Sequence, residues 1–226
     1  RRPSDVVRLR TELALDYLQD GQVQKAQSLL DEAENTIRKD FKQVDGTSSG
    51  PYWRLRAEME FHHARAIFLS RKGKLAESIE SAKLAVAKGK ESFANDAPVG
   101  PTQKVHGRHW YIKVLAALAS QQSAAGLFTD ADVTLRQAYQ FAKAHGFSDE
   151  QLFGTYNAYA DLRNASGQFN EAGAYADKAE RIVLNQGFKK GTMPWIGTQN
   201  RKNIALVGAD KWSDALANFD RVDEEK

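Results

Sequence analysis

Apolar side chains recur along this chain at helical intervals, and nowhere do apolar and polar residues alternate for long enough to mark a strand. Four stretches share one frame. A small residue is followed seven positions later by Gly, and small residues stand five and twelve positions after that Gly. They are Ala14–Gly21–Ala26–Ala33, Ala66–Gly73–Ser78–Ala85, Ala119–Gly126–Ala131–Ala138 and Ala160–Gly167–Ala172–Ala179. Large apolar residues fill in the frame: Leu13, Tyr17 and Leu30 in the first copy, Leu118 and Leu135 in the third, Tyr159 in the fourth. Small residues at fixed spacing let two helices cross closely, and a Gly between them turns the chain. The pattern therefore predicts an all-α chain of helix hairpins.

Ten helices follow, at about 4–20, 22–41, 51–72, 74–93, 102–125, 128–145, 148–166, 169–186, 194–208 and 211–225. Asp45–Pro51 and Asn95–Pro101 are rich in turn-forming residues and read as loops. Ser148 and Gln151 have capping-box spacing, and Gly146 and Gly187 stand where helix C-caps are expected. A fifth copy of the frame is degraded. Asp210 replaces the Gly, Lys202 and Asn203 fall at apolar and small places, and Trp212 is expected to plug the turn. The tenth helix carries an apolar stripe of Trp212, Leu216, Phe219 and Val222. Either that helix caps the array and dimerises, or the array continues. Continuation is favoured, because solenoids end on polar caps.

The repeated frame resembles the tetratricopeptide (TPR) family, with its small residue in the first helix, Gly at the turn and Ala in the second helix. The turn glycines are 52, 53 and 41 residues apart, against about 34 in a minimal repeat, which resembles the long-helix variety of kinesin light chains. The resemblance implies one superhelical solenoid domain over 1–226, with repeats at 4–41, 51–93, 102–145, 148–186 and 194–225. It implies a concave groove lined by first helices, which binds a peptide or protein segment. Mapped onto this chain, the groove residues are Glu60, His63, Arg71, Lys113, Ser120, Asn157, Asp161 and Asn164. The carboxylate clamp of chaperone-binding TPR domains has no counterpart here, since the matching places hold Thr11/Leu15, His63/Ile67 and Ala116/Ser120. Arrays of this kind occur in larger bacterial proteins, for example beside a caspase-like CHAT domain, and the start at Arg1-Arg2-Pro3 fits such a fragment. The alternative function is therefore a regulatory or sensor segment of a larger enzyme or transcription factor.

Composition narrows the chemistry. Zero Cys excludes disulfides, thiol catalysis and thiolate metal sites, and leaves cytoplasm and periplasm equally open. The net charge of +3 is too mild for a nucleic-acid signature. The longest apolar run, Val114–Ala119, is far too short to span a bilayer. No phosphate loop, zincin or GxSxG signature is present, so neither an enzyme nor a cofactor is expected. His62 and His63 point about 100° apart on a helix and cannot easily share an ion. His106 and His109 lack a third ligand nearby, so no metal is expected either. Asp161 and Asp177 are expected on different faces, not as an acid/base pair. Lys104, His106, Arg108, His109 and Lys113, interleaved with Trp110 and Tyr111, form the best local anion surface. The simpler reading is that both aromatics pack inward while the charges reach solvent.

Overall fold

The computed structural model describes residues 2–41, 50–94 and 100–224. Among these described residues ten α-helices run in order: α1 (Pro3–Gln19), α2 (Val23–Asp40), α3 (Gly50–Arg71), α4 (Leu75–Ala94), α5 (Pro101–Ala124), α6 (Phe128–Ala144), α7 (Phe153–Ala165), α8 (Phe169–Asn185), α9 (Met193–Gly208) and α10 (Trp212–Glu224). A single 3-10 turn, Asp149–Leu152, precedes α7. Its entry is the expected capping box, with the Ser148 N–H donating to Gln151 Oε1 at 3.0 Å. There is no strand among the described residues. Most of the two predicted loops, at 45–49 and 95–99, and the end of predicted helix ten lie outside them. The chain divides into two compact units, Arg1–Gln121 and Gln122–Lys226.

Each hairpin turns on the same device. Gly21, Gly73, Gly126 and Gly167 adopt φ of 74°, 73°, 76° and 76°, a left-handed conformation that costs a side-chain-bearing residue energy. The next N–H then reaches back to a carbonyl five residues earlier: Gln22 to Tyr17, Lys74 to Leu69, Leu127 to Gln122 and Gln168 to Arg163. This satisfies a carbonyl that the helix end leaves without a partner. The fifth turn keeps the geometry without the Gly. Asp210 has φ 58°, and Lys211 N–H reaches Leu206 O at 2.9 Å. Replacing Asp210 by Gly is expected to raise stability by about 1 kcal/mol, because the backbone strain disappears. A chemical denaturation curve unmoved or shifted downward would contradict it.

The small residues of the frame are fully buried. Ala14, Ala26 and Ala33 in unit 1, and Ala160, Ala172 and Ala179 in unit 2, are each 0% exposed. Ser78, the one hydroxyl at such a place, donates to the Ala66 carbonyl at 2.7 Å, so its burial leaves no polar atom unmet. In unit 1, Leu18, Leu30, Phe61 and Phe68 from α1, α2 and α3 fill one core. Gly89 lets α4 approach α5, since a Cβ there would stand 2.6 Å from the Tyr111 ring. In unit 2 the irregular fifth hairpin solves its own problem. Asn203, standing where Ala is expected, is buried, and Asn218 Nδ2 donates to its Oδ1 at 2.6 Å. Trp195, at 0% exposure, anchors α9 against Val183 and Val222. Trp212 does not plug the turn as expected: it stands 58% exposed.

Candidate functional site

In unit 1 the first helices α1 and α3 and the first part of α5 share a polar, aromatic surface. Its floor is an ion triad. Glu60 on α3 accepts from Arg56 Nε at 2.8 Å, one turn away, and from Arg8 Nε of α1 at 3.0 Å. Glu60 and Arg56 are 1% and 2% exposed, while Arg8 keeps a partly exposed side chain. The guanidinium groups of Arg2 and Arg8 lie 5.5 and 5.9 Å from the Trp53 ring centre, within cation–π range. An open cleft of about 600 Å³ runs beside α1, lined by Asp5, Val6, Arg8, Leu9, Arg10 and Glu12.

One turn along α3, His63 meets Trp110 of α5 edge-on, with ring centres 6.0 Å apart, and Lys113 Nζ sits 5.1 Å from the same Trp110. Burial, then the Lys113 charge, pushes the His63 imidazole down to about 4. His62, on the other side of α3, is pushed down to about 4 by burial and then by Arg65 and Lys88. His106 and His109 are lowered in the same direction, burial first. These imidazoles are therefore neutral near pH 7, and the fixed positive charge of the surface comes from Arg and Lys alone. Ser120 is half-buried on α5. Arg71, exposed at the end of α3, donates its Nη1 to the Leu18 carbonyl at the end of α1. A cation at a helix C-terminus also suits the helix dipole. Tyr111 packs inward as expected; Trp110 is only half-buried.

In unit 2, Asn157, Asp161 and Asn164 fall on one stripe of α7. Arg201 of α9 holds Asp161 through two contacts, Nε–Oδ1 at 2.7 Å and Nη2–Oδ2 at 2.9 Å. Asn164 Nδ2 donates to the Arg201 carbonyl at 3.0 Å. The Oδ1 atoms of Asn157 and Asn164 are buried without a hydrogen-bond partner among the described residues. Asp177 is engaged elsewhere, by Lys202 Nζ at 2.6 Å, so the two aspartates do not work as a pair. The proposed groove residues thus form two sets, one in each unit. Sequence reasoning missed Arg8, Trp53 and Arg56 in the first set and Arg201 in the second. The Trp53-Arg54-Leu55-Arg56 run near the start of α3 was the available signal.

No protein-family model matches the chain, and no curated protein matches it. Solved structures do. A kinesin light chain from Podosopora anserina with nearly identical TPR-like repeats is 21% identical, with a TM-score of 0.59, covering 99% of this chain and 96% of that one. A single-substitution variant of the same protein aligns with a TM-score of 0.61 at 21% identity, covering 99% and 95%. The fold is the TPR-like helical repeat fold. No described helix of this TPR-like chain is long and apolar enough to cross a membrane.

Proposed function

We propose that the chain is a non-catalytic scaffold that binds an extended peptide or protein segment on its first-helix surfaces. The observation supporting this most directly is the unit 1 surface, where Trp53, His63, Trp110 and Lys113 stand partly or fully exposed above a buried ion triad. Aromatic faces and cations at the edge of a fixed polar floor offer stacking and hydrogen bonding to a polypeptide. The α7 stripe in unit 2 adds amide side chains with hydrogen-bonding capacity to spare. Glu60, Arg71 and Asp161 serve this surface by fixing its shape, each being held by a partner from within its own unit.

A peptide-array or pull-down screen with wild-type chain and a folded His63→Ala/Lys113→Ala/Asn157→Ala variant tests the reading. The variant is expected to lose most binding. Undiminished capture would move the site off the first helices. Binding that instead collapses between about 50 and 200 mM salt would point to nucleic-acid phosphates.

A further inference from the structure

Two imidazoles and an ammonium gather round one indole on the unit 1 surface. His106, Trp110 and Lys113 follow one another along α5 at intervals of four and three residues, which puts them on one side of the helix. From α3, His63 brings its ring centre within 6.0 Å of the same Trp110, and Lys113 Nζ lies 5.1 Å from it. His106 and Lys113 are exposed, while His63 and Trp110 are half-buried. All four are therefore open to a ligand laid across α3 and α5.

The charges facing these imidazoles are mostly positive. His106 meets Arg8 of α1, Arg56 and Glu60 of α3, and Lys113 of its own helix. His63 meets Lys113. His109, also on α5, stands near His106 and Lys113. Arg65, Lys88 and Glu34 face His62, on the other side of α3. The acids of the surface are already engaged, Glu60 by Arg8 and Arg56, and Glu12 by Arg8 at 3.9 Å. Burial first, and then these cations, keep protons off His63 and His106 near pH 7. A carboxylate arriving from outside reverses that, because an opposite charge nearby favours the imidazolium. Protons and carboxylates then enter together, and each raises the affinity for the other.

We propose that the unit 1 surface is proton-gated: it takes an acidic segment in mild acid and releases it near neutrality, with charged His63 and His106 completing a cationic face around Lys113. The inference rests on the first-helix reading above and adds to it the partner's charge and its control by pH. Side-chain carboxylates suit the face better than nucleic-acid phosphates do. Glu12 stays exposed among the cations, and a strand with a phosphate at every step runs against it where spaced carboxylates do not.

The probe is a short rhodamine-labelled peptide of alternating Glu and Ser, with a Gln/Ser peptide as its neutral match, titrated with the full chain by fluorescence anisotropy at low salt. Affinity for the Glu/Ser peptide should rise about tenfold between about pH 7.5 and pH 5.5, a window in which imidazoles titrate and Glu stays ionised. A His63→Gln/His106→Gln chain should show no such rise, and Lys113→Ala should weaken binding at both pH values. Calorimetry of wild type in buffers of different ionisation enthalpy should register proton uptake on binding near pH 6, a readout that needs no variant. Equal affinity at both pH values, a rise that survives in the double variant, or binding without proton uptake would overturn the gating and leave the first-helix reading standing. A single-stranded oligonucleotide that displaces the Glu/Ser peptide at lower concentration would overturn the acidic segment as occupant. Failure of both peptides to bind at either pH would overturn the gating and count against the first-helix surface itself.

Discussion

Replacing Glu60 with Ala is expected to destabilise unit 1 by about 3–5 kcal/mol, the range for breaking a buried ion pair from one side. Glu60 is the only acid in the triad with Arg8 and Arg56, and its removal leaves the Arg56 guanidinium charged and 2% exposed. Arg8 suffers less, since its side chain keeps 24% exposure and can turn to water. The asymmetry gives a second arm to the measurement. An Arg56→Met/Glu60→Leu double variant removes both buried charges and should recover most of the loss, because a buried pair gains little over apolar residues of similar volume. Urea denaturation of the three proteins checks this. A Glu60→Ala midpoint close to wild type would mean that water reaches the triad.

The second large effect concerns the small residues. Ala172→Leu should cost about 1–3 kcal/mol, because overpacking a closed crossing forces its neighbours out of place. Ala172 is 0% exposed on α8, and so is Ala160 on the facing α7. Gly173, next along the chain, marks the contrast, since a Cβ there would come no closer than 3.9 Å to its nearest neighbour, Ala205. Gly173→Ala should therefore be tolerated far better than Ala172→Leu. Thermal denaturation of both variants measures the difference, and equal melting temperatures would show the register to be wrong.

The fold could be read from the chain because its signals are local. A Gly that must adopt positive φ and an alanine with no room for a larger side chain recur at fixed distances, so the helices emerged within one or two residues of their observed ends, except α7, which starts at Phe153 after the 3-10 turn and not at 148. The site was less legible because its decisive partners are remote. Arg8 lies 52 residues from Glu60, the Leu18 carbonyl 53 from Arg71, and Arg201 about 40 from Asp161. Helical periodicity identifies the face on which Glu60 and Asp161 stand. It carries no information on which cation from another helix reaches them. Trp212 erred because the place two residues after the turn need not be buried: Phe128, at the matching place of the third hairpin, is itself 37% exposed, and Trp212 58%.

The four tryptophans fall two to a unit, and their surroundings differ sharply. In the first unit, Trp53 lies under two guanidinium groups and Trp110 beside an imidazole and an ammonium. In the second, Trp195 is sealed from water beneath the Arg221 guanidinium, 5.7 Å from its ring centre, while Trp212 faces solvent. Steady-state emission thus carries a blue component from Trp195 that reddens only when α9 leaves its seat. A Trp53→Phe/Trp110→Phe/Trp212→Phe chain would turn that residue into a single-source optical gauge, letting the melting of one half be timed independently of the other.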